Sequence, residues 1–260
     1  MSNISALKVP PSRGTAPEFS DMASHRDPRL NTNFSGSPRI AGISRSHTRP
    51  FGDQSKRPGV SRVKAAFDYV GAAVLLVVLL PVFIGIALLI RLDGGPAMFT
   101  HRRIGTGGRR FECLKFRSMV LDSDAVLDRL LRSDPAAAAE WAATQKLRDD
   151  PRITPIGRIL RTTSLDELPQ LINVLRGEMS LVGPRPIVES EINRYGEQIR
   201  FYMATRPGMT GLWQVSGRSE TTYAERVRLD VRYVREWSFW RDIVILLKTV
   251  SVVIQRRGAA

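Results

Sequence analysis

The feature that most constrains this chain is an uncharged apolar run, VGAAVLLVVLLPVFIGIALLI, which extends over 21 residues from Val70 to Ile90. As an α-helix it is roughly 31 Å long, about the thickness of the hydrocarbon core of a bilayer. A buried helix of a soluble protein is a poorer interpretation, because so long a run has no polar face. The sequence therefore predicts that residues 58–95 form a membrane-associated segment.

The charges beside this run and the proline inside it predict how it inserts. Lys and Arg cluster on both sides of the run, whereas a simple span carries its basic excess on the cytoplasmic side only. Pro81 lies near the middle, removes a backbone hydrogen bond and kinks the helix. A re-entrant helix that returns to the face it entered satisfies both observations. Prolines also occur in spanning helices, so a span stays open from these features alone.

The regions on either side of the membrane segment differ in composition. Residues 1–57 are rich in Ser, Pro, Arg, Gly and Asn, which predicts a disordered basic tail. No apolar segment follows Met1, so we expect no secretory signal peptide. Residues 96–260 predict a mostly helical α+β domain with short strands, whose amphipathic C-terminal helices lie at the membrane interface. We expect a strand over 111–116 and helices over 122–132, 136–148, 165–176, 187–203, 223–237 and 242–255.

The charge and the scarcity of certain side chains limit the classes of function. A formal net charge of +14 calls for an acidic partner, and nucleic acid, an anionic membrane face or a phosphorylated substrate would each qualify. The single cysteine excludes an internal disulfide. With three histidines in all, a Cys/His zinc site and a Ser-His-Asp triad are both disfavoured.

The stretch TTSLDELPQL over 162–171 places two carboxylates side by side. It has the pattern of a helix start, in which either Ser164 caps the helix with Glu167 reaching back, or Asp166 is itself the cap. Pro169 favours the second arrangement. On a helical wheel Asp166 lies opposite the apolar stripe that would pack into the core. By itself the stretch favours a structural role over a catalytic one.

Basic residues in loops framed by Pro and Gly predict a phosphate-binding site, because arginine forks match phosphate oxygens. Each such residue taken alone is more commonly a solvated surface charge. GTGG over 105–108 is a weak phosphate-loop signal, and a hairpin turn is the better interpretation. The candidate substrate-binding residues are Lys115, Arg117, Arg161, Arg185, Gln214 and Arg218.

Three stretches carry a family resemblance: KFRSM (115–119), DDPRITPIGRILRTTSLDELPQLINVLRGEMSLVGPRP (149–186) and RPGMTGLWQVSGR (206–218). They resemble the bacterial sugar transferases, the monotopic phosphoglycosyl transferases that start exopolysaccharide and O-antigen assembly. The similarity runs from about Ser61 to Arg256 and is greatest to short members that transfer galactose 1-phosphate or glucose 1-phosphate. The family also has a Pro-broken re-entrant helix, which favours re-entry here.

The resemblance implies a reaction. A hexose 1-phosphate would pass from a UDP-sugar to undecaprenyl phosphate, with release of UMP. The family's Asp-Glu dyad falls on Asp166, which would attack the β-phosphate and help to hold Mg²⁺, and on Glu167, which would orient or deprotonate partners. Two positions depart from the family pattern, since Leu80 replaces the usual Ser before the proline and His101 stands where many members have Gln.

The resemblance also implies a location and a set of partners. We expect the bacterial inner (cytoplasmic) membrane, with the N-terminus and the catalytic domain on the cytoplasmic side. The expected partners are the UDP-sugar, undecaprenyl phosphate and membrane lipid, with no nucleic acid, and a homodimer is left open. The alternative is a basic membrane-attached scaffold that binds an anionic polymer without catalysis. A transferase without a covalent intermediate is a third hypothesis.

Overall fold

The computed structural model describes residues 61–144, 146–217 and 221–254, so the predicted tail over 1–57 lies outside the described residues. The described part is mostly helical with a few short strands, which confirms the predicted α+β class. The α-helices are α1 Arg62–Val78, α2 Leu80–Arg91, α3 Ser123–Ser133, α4 Pro135–Thr144, α5 Pro155–Thr163, α6 Gln170–Leu175, α7 Ile192–Tyr195, α8 Ile199–Met203, α9 Tyr223–Arg235 and α10 Phe239–Ile254. The strands are β1 Met98–Ile104, β2 Arg110–Phe116, β3 Ser180–Val182 and β4 Gly208–Thr210.

The apolar run forms α1 and α2, which meet at Leu79 with a bend of 63°. Within the described ranges no single helix is long and apolar enough to cross a membrane, whereas this bent pair meets the criteria of length and composition. Pro81 is the second residue of α2, where its missing N–H breaks no intrahelical bond. The Leu79 N–H donates to the Leu75 carbonyl at 2.9 Å, and the Phe83 N–H donates to the Leu79 carbonyl at 2.8 Å. The predicted break is therefore present at Leu79.

Two small sheets support the rest of the domain. β1 and β2 form an antiparallel hairpin in which His101 is opposite Cys113, and GTGG is the turn between them, as predicted. The strand predicted over 111–116 is part of β2, but β1 was not predicted. β3 and β4 pair in parallel. A Cβ atom on Gly208 would lie 2.0 Å from the Gly183 nitrogen, so these two backbones approach closely only because both residues lack a side chain.

A buried network of charges joins α1 to the C-terminal helices. Lys64 Nζ lies 2.7 Å from Asp242 Oδ2, and both side chains are about 1% exposed. The Tyr233 hydroxyl donates to the other oxygen of Asp242 at 2.8 Å. Asp68 accepts from the Leu181 N–H at 3.1 Å and from the Arg206 guanidinium at 3.4 Å. Each buried charge has an opposite partner, and the network joins α1 to α9, α10 and β3.

The last helix, α10, has one apolar face in contact with the core and one exposed. Ile245 is buried, whereas Trp240 and Leu247 are 74% and 67% exposed. This agrees with the amphipathic helix predicted near the C-terminus, although α10 begins three residues earlier than expected. Trp237 is not on the exposed face, because its indole N–H donates to Asp242 at 3.0 Å.

One predicted helix, over 187–203, is wrong. The segment contains two short 3₁₀ turns and two short helices, α7 and α8, instead of one helix. Gly196, with a φ of 51°, follows α7 and ends it, since a left-handed residue cannot continue a right-handed helix. The helices predicted over 122–132, 136–148 and 223–237 are confirmed as α3, α4 and α9 with shifted ends.

Candidate functional site

Helix α5, which was not predicted, brings the chain to the two carboxylates. It begins with Thr154, whose side chain accepts from the Gly157 N–H at 2.9 Å. A Cβ on Gly157 would lie 2.0 Å from the Ser118 carbonyl oxygen, so only glycine allows this close approach. The helix ends at Ser164, which has a left-handed φ of 58° and no side-chain capping bond to the following turn. Ser164 is therefore the C-cap of α5, and the alternative in which its side chain caps the next helix is wrong.

The helix predicted over 165–176 is wrong in its first part. Leu165–Glu167 form a 3₁₀ turn, and α6 begins only at Gln170. Pro169 has no N–H to donate to the Leu165 carbonyl, and the Leu168 N–H takes its place at 3.2 Å. Asp166 is consequently inside this turn and is not a helix cap.

The predicted orientation of α6 is also wrong, because its polar face is buried. Asp166 is 8% exposed, Gln170 is 3% exposed and Asn173 is fully buried. The Asn173 side chain accepts from the Leu114 N–H at 2.9 Å and donates to the Glu112 carbonyl at 2.8 Å. These two bonds join α6 to β2, so Asp166 faces the strand and not the solvent, whereas the Glu167 side chain is 36% exposed.

Lys115 on β2 holds both carboxylates. Its Nζ lies 2.7 Å from Glu167 Oε1 and 3.5 Å from Asp166 Oδ2. Burial raises the pKa of Asp166 and Glu167 raises it further, while Lys115 and Arg161 oppose the shift. Burial lowers the pKa of Lys115, but the two carboxylates outweigh burial and the net shift is upward. The site thus keeps a partly buried carboxylate beside a protonated amine, an arrangement typical of a catalytic group.

A shallow cavity, open to solvent, lies beside Glu167 of the pair. Gln214 contributes to it with a fixed orientation, since its Nε2 donates to the Met209 carbonyl at 3.2 Å. A carbonyl can only accept, so the Gln214 Oε1 is left as the acceptor, and it is buried without a partner. The polar residues that line the cavity include Arg103, Lys115, Glu167, Gln170, Arg185 and Gln214.

Comparison with known proteins agrees with the motifs around this cavity. The family model of the bacterial sugar transferases matches residues 60–256. The chain belongs to the bacterial sugar transferase family. It is 46% identical over 229 residues to the exopolysaccharide production protein ExoY of Rhizobium meliloti, covering 88% of this chain and 98% of that protein.

Longer members of the family match the same region. The UDP-galactose-lipid carrier transferase of Erwinia amylovora is 54% identical over 197 residues. The undecaprenyl-phosphate galactose phosphotransferase of Salmonella typhimurium is 52% identical over 197 residues. Each match covers 76% of this chain and 41% of the relative, so the chain spans about two fifths of the length of these two transferases.

The structure of this sugar transferase brings only some of the predicted binding residues to the cavity. Lys115, Arg185 and Gln214 line the cavity. Arg161 lies near Asp166 and donates to the Ser118 hydroxyl at 2.9 Å. Arg218 lies outside the described residues.

Arg117 is not brought into the cavity. Its guanidinium donates to the carbonyls of Ile90 and Pro96, each at 3.0 Å, and to the carbonyl of Gly94. Because these acceptors lie at and just after the end of α2, Arg117 binds the chain where it leaves the bent helix pair.

Sequence reasoning missed Arg103 and Gln170, which line the cavity. The available signal was alternation, because Arg103 lies two residues after His101 on a strand and therefore on the same face. His101 itself has a lowered pKa, owing first to burial and then to the charges of Arg103 and Lys115. Because β1 was not predicted, the face of the hairpin that carries Arg103 was not recognised.

The donor chemistry of the residues present fits a magnesium ion. Across the described ranges, no group of three or more His, Cys, Asp or Glu residues could enclose a metal. Mg²⁺, however, is commonly bound by one or two carboxylates together with substrate phosphates. Asp166 and Glu167 supply that donor set.

Proposed function

We propose that this chain transfers a hexose 1-phosphate, from UDP-galactose or UDP-glucose, to undecaprenyl phosphate and releases UMP. The observation that carries the proposal is the pair Asp166 and Glu167, bound by Lys115 at the edge of a cavity that contains arginines. Two relatives support it by name, one as a UDP-galactose-lipid carrier transferase and one as an undecaprenyl-phosphate galactose phosphotransferase.

The reaction would proceed by two displacements with Asp166 as the nucleophile. In the first, a carboxylate oxygen of Asp166 forms a bond to the β-phosphorus. The bond from that phosphorus to the bridging oxygen breaks, and its electron pair leaves with UMP. In the second, an oxygen of the polyprenyl phosphate attacks the same phosphorus and frees Asp166. Covalent catalysis of this kind divides a difficult transfer into two easier steps.

The neighbouring residues would support this nucleophile. Lys115 keeps Asp166 ionised and in position, and Glu167 orients or deprotonates the reacting groups. Mg²⁺, bound by Asp166 and Glu167 together with substrate phosphates, would supply positive charge that offsets the repulsion between carboxylate and phosphate.

The assay that tests the proposal uses purified protein, undecaprenyl phosphate and a panel of UDP-sugars. We expect UMP release with UDP-galactose or UDP-glucose that requires Mg²⁺ and stops when the metal is chelated. A protein that only binds an anionic polymer would release no UMP with any sugar, and that outcome would refute the proposal.

The acceptor is a lipid, and we place the site at the cytoplasmic face of the inner membrane. Exposed apolar side chains on both halves of the bent pair, including Val77 at 72% and Leu88 at 61%, support insertion of α1 and α2. Their 63° bend and the basic residues on both sides support re-entry. Tags placed after Met1 and after Ala260 should then both be protected in sealed right-side-out vesicles. Accessibility of only one of them would contradict re-entry.

The raised pKa of Asp166 predicts how kcat/KM falls at low pH. The attacking carboxylate must be ionised, so kcat/KM should fall as the pH drops through a pKa that lies above the ordinary 3.8. Lys115→Met removes a charge that lowers this pKa. The acidic limb should therefore move to higher pH.

The control for this shift is Lys146→Met, which removes the same charge from an exposed position. It should leave the pH profile of kcat/KM unchanged. An acidic limb that stays in place in Lys115→Met would mean that Lys115 does not act on Asp166.

A further inference from the structure

Two arginines on the cavity wall have no carboxylate partner. Arg103 and Arg185 both line the cavity, and neither forms an ion pair with any carboxylate in the described ranges. Arg103 makes one weak contact, from Nη1 to the Pro186 carbonyl at 3.3 Å. The Arg185 guanidinium lies 5.5 Å from the centre of the Trp213 ring, which fixes its position without neutralising it.

Three other arginines bind backbone carbonyls or carboxylates. Arg117 serves three backbone carbonyls. Arg152 binds Asp150 at 2.7 Å, and Arg206 binds Asp68 at 3.4 Å. Lys115 forms ion pairs with the two carboxylates of the dyad. The cations of the cavity wall that remain for a substrate are therefore Arg103 and Arg185.

The β1–β2 hairpin explains why Arg103 is on the wall and its neighbour is not. Side chains alternate along a strand, and opposed residues share a face. Arg103, Cys113 and Lys115 all face the cavity. Arg102 points to the other side, where its Nε lies 3.4 Å from Glu112 and its side chain is 69% exposed.

Holding these two guanidinium groups near each other is unfavourable without an anion. Burial lowers the pKa of Arg103, and the charge of Arg185 lowers it further. Glu191 opposes this shift, but its carboxylate accepts from the Val188 N–H at 2.9 Å. An anion that accepts from both guanidiniums would remove the repulsion, and phosphate oxygens match their geometry.

We infer that Arg103 and Arg185 together bind the phosphate that leaves as UMP. This inference rests on the proposed function, in which the electron pair of the broken phosphorus–oxygen bond ends on that phosphate. Donors placed where charge develops stabilise the transition state. Lys115 thus holds the nucleophile, and the arginine pair receives the leaving group.

Binding of UMP to the full-length protein tests this assignment, with Arg103→Gln as the variant and Arg102→Gln as its matched control. Losing one charge-assisted contact should weaken UMP binding by about ten-fold to a hundred-fold in Arg103→Gln. Arg102→Gln should bind UMP as the wild type does. Uridine, which lacks the phosphate, should bind both variants equally. Arg103→Lys, which keeps the charge but loses the fork, should fall between wild type and Arg103→Gln.

Exchange of labelled UMP into the UDP-sugar, without any lipid acceptor, provides the second measurement. Arg103→Gln should slow this exchange and leave the KM for undecaprenyl phosphate unchanged. A raised KM for the lipid with normal UMP binding would assign the arginines to the acceptor and overturn the inference. Equal UMP binding by Arg103→Gln, Arg103→Lys and an active wild type would also overturn it. A wild type without UMP release would instead refute the proposed function.

Discussion

Replacing Asp166 with Asn is expected to lower UMP release by about a thousand-fold or more, as loss of a covalent nucleophile does in other enzymes. The amide has nearly the same shape but carries no negative charge with which to attack phosphorus. The fold should tolerate it, because Asp166 caps no helix and Lys115 keeps its shorter contact, 2.7 Å, with Glu167. The measurement is UMP released from the UDP-sugar with Mg²⁺ and undecaprenyl phosphate.

Asp128→Asn is the matched control, since it makes the same change at an exposed position on α3. It should keep normal activity. Glu167→Gln should also lose transfer, and the circular dichroism of both dyad variants should match the wild type. UMP release by Asp166→Asn within a few-fold of the wild type would exclude the covalent route and favour direct transfer between the two substrates.

Replacing Lys64 with Met is expected to destabilise the protein by about 3 to 5 kcal/mol, the usual result of breaking a buried ion pair from one side. The variant leaves the buried Asp242 carboxylate with the hydrogen bonds from Tyr233 and Trp237 but without a cation. Unfolding of the purified protein in detergent, followed by circular dichroism, would measure the loss.

Arg62→Met controls for the loss of a positive charge from the same helix, because Arg62 is exposed. It should change the free energy of unfolding by less than about 0.5 kcal/mol. A Lys64→Met protein as stable as Arg62→Met would show that the buried charge network does not hold α1 to the C-terminal helices.

Some elements were predictable because one strong local signal determines them. The apolar run and Pro81 predicted a broken helix, and the break is present at Leu79. GTGG predicted a turn, which is what joins β1 to β2. Three-residue strands such as β3 carry no such signal, because the close contact of Gly183 with Gly208 is formed only in the folded chain.

The surroundings of the two carboxylates could not be predicted from the sequence. The motif around Asp166 and Glu167 predicts that they are the reacting groups, and this stays a prediction. The local pattern predicted a solvent-facing helix, which is wrong. The turn geometry depends on Pro169 lacking an N–H, and the burial depends on Asn173 bonding β2. Similarly, nothing in the sequence distinguishes Arg117, which binds backbone carbonyls, from Arg185, which lines the cavity.

Arg117 follows Lys115 by two residues, and this short spacing has a mechanical consequence. Lys115 binds the carboxylates of Asp166 and Glu167, and Arg117 binds the end of α2. Two residues of extended chain span only about 7 Å. The distance between the two carboxylates and the end of α2 is therefore set by a short extended segment and not by a flexible loop, so a movement of α2 would be passed directly to the carboxylates.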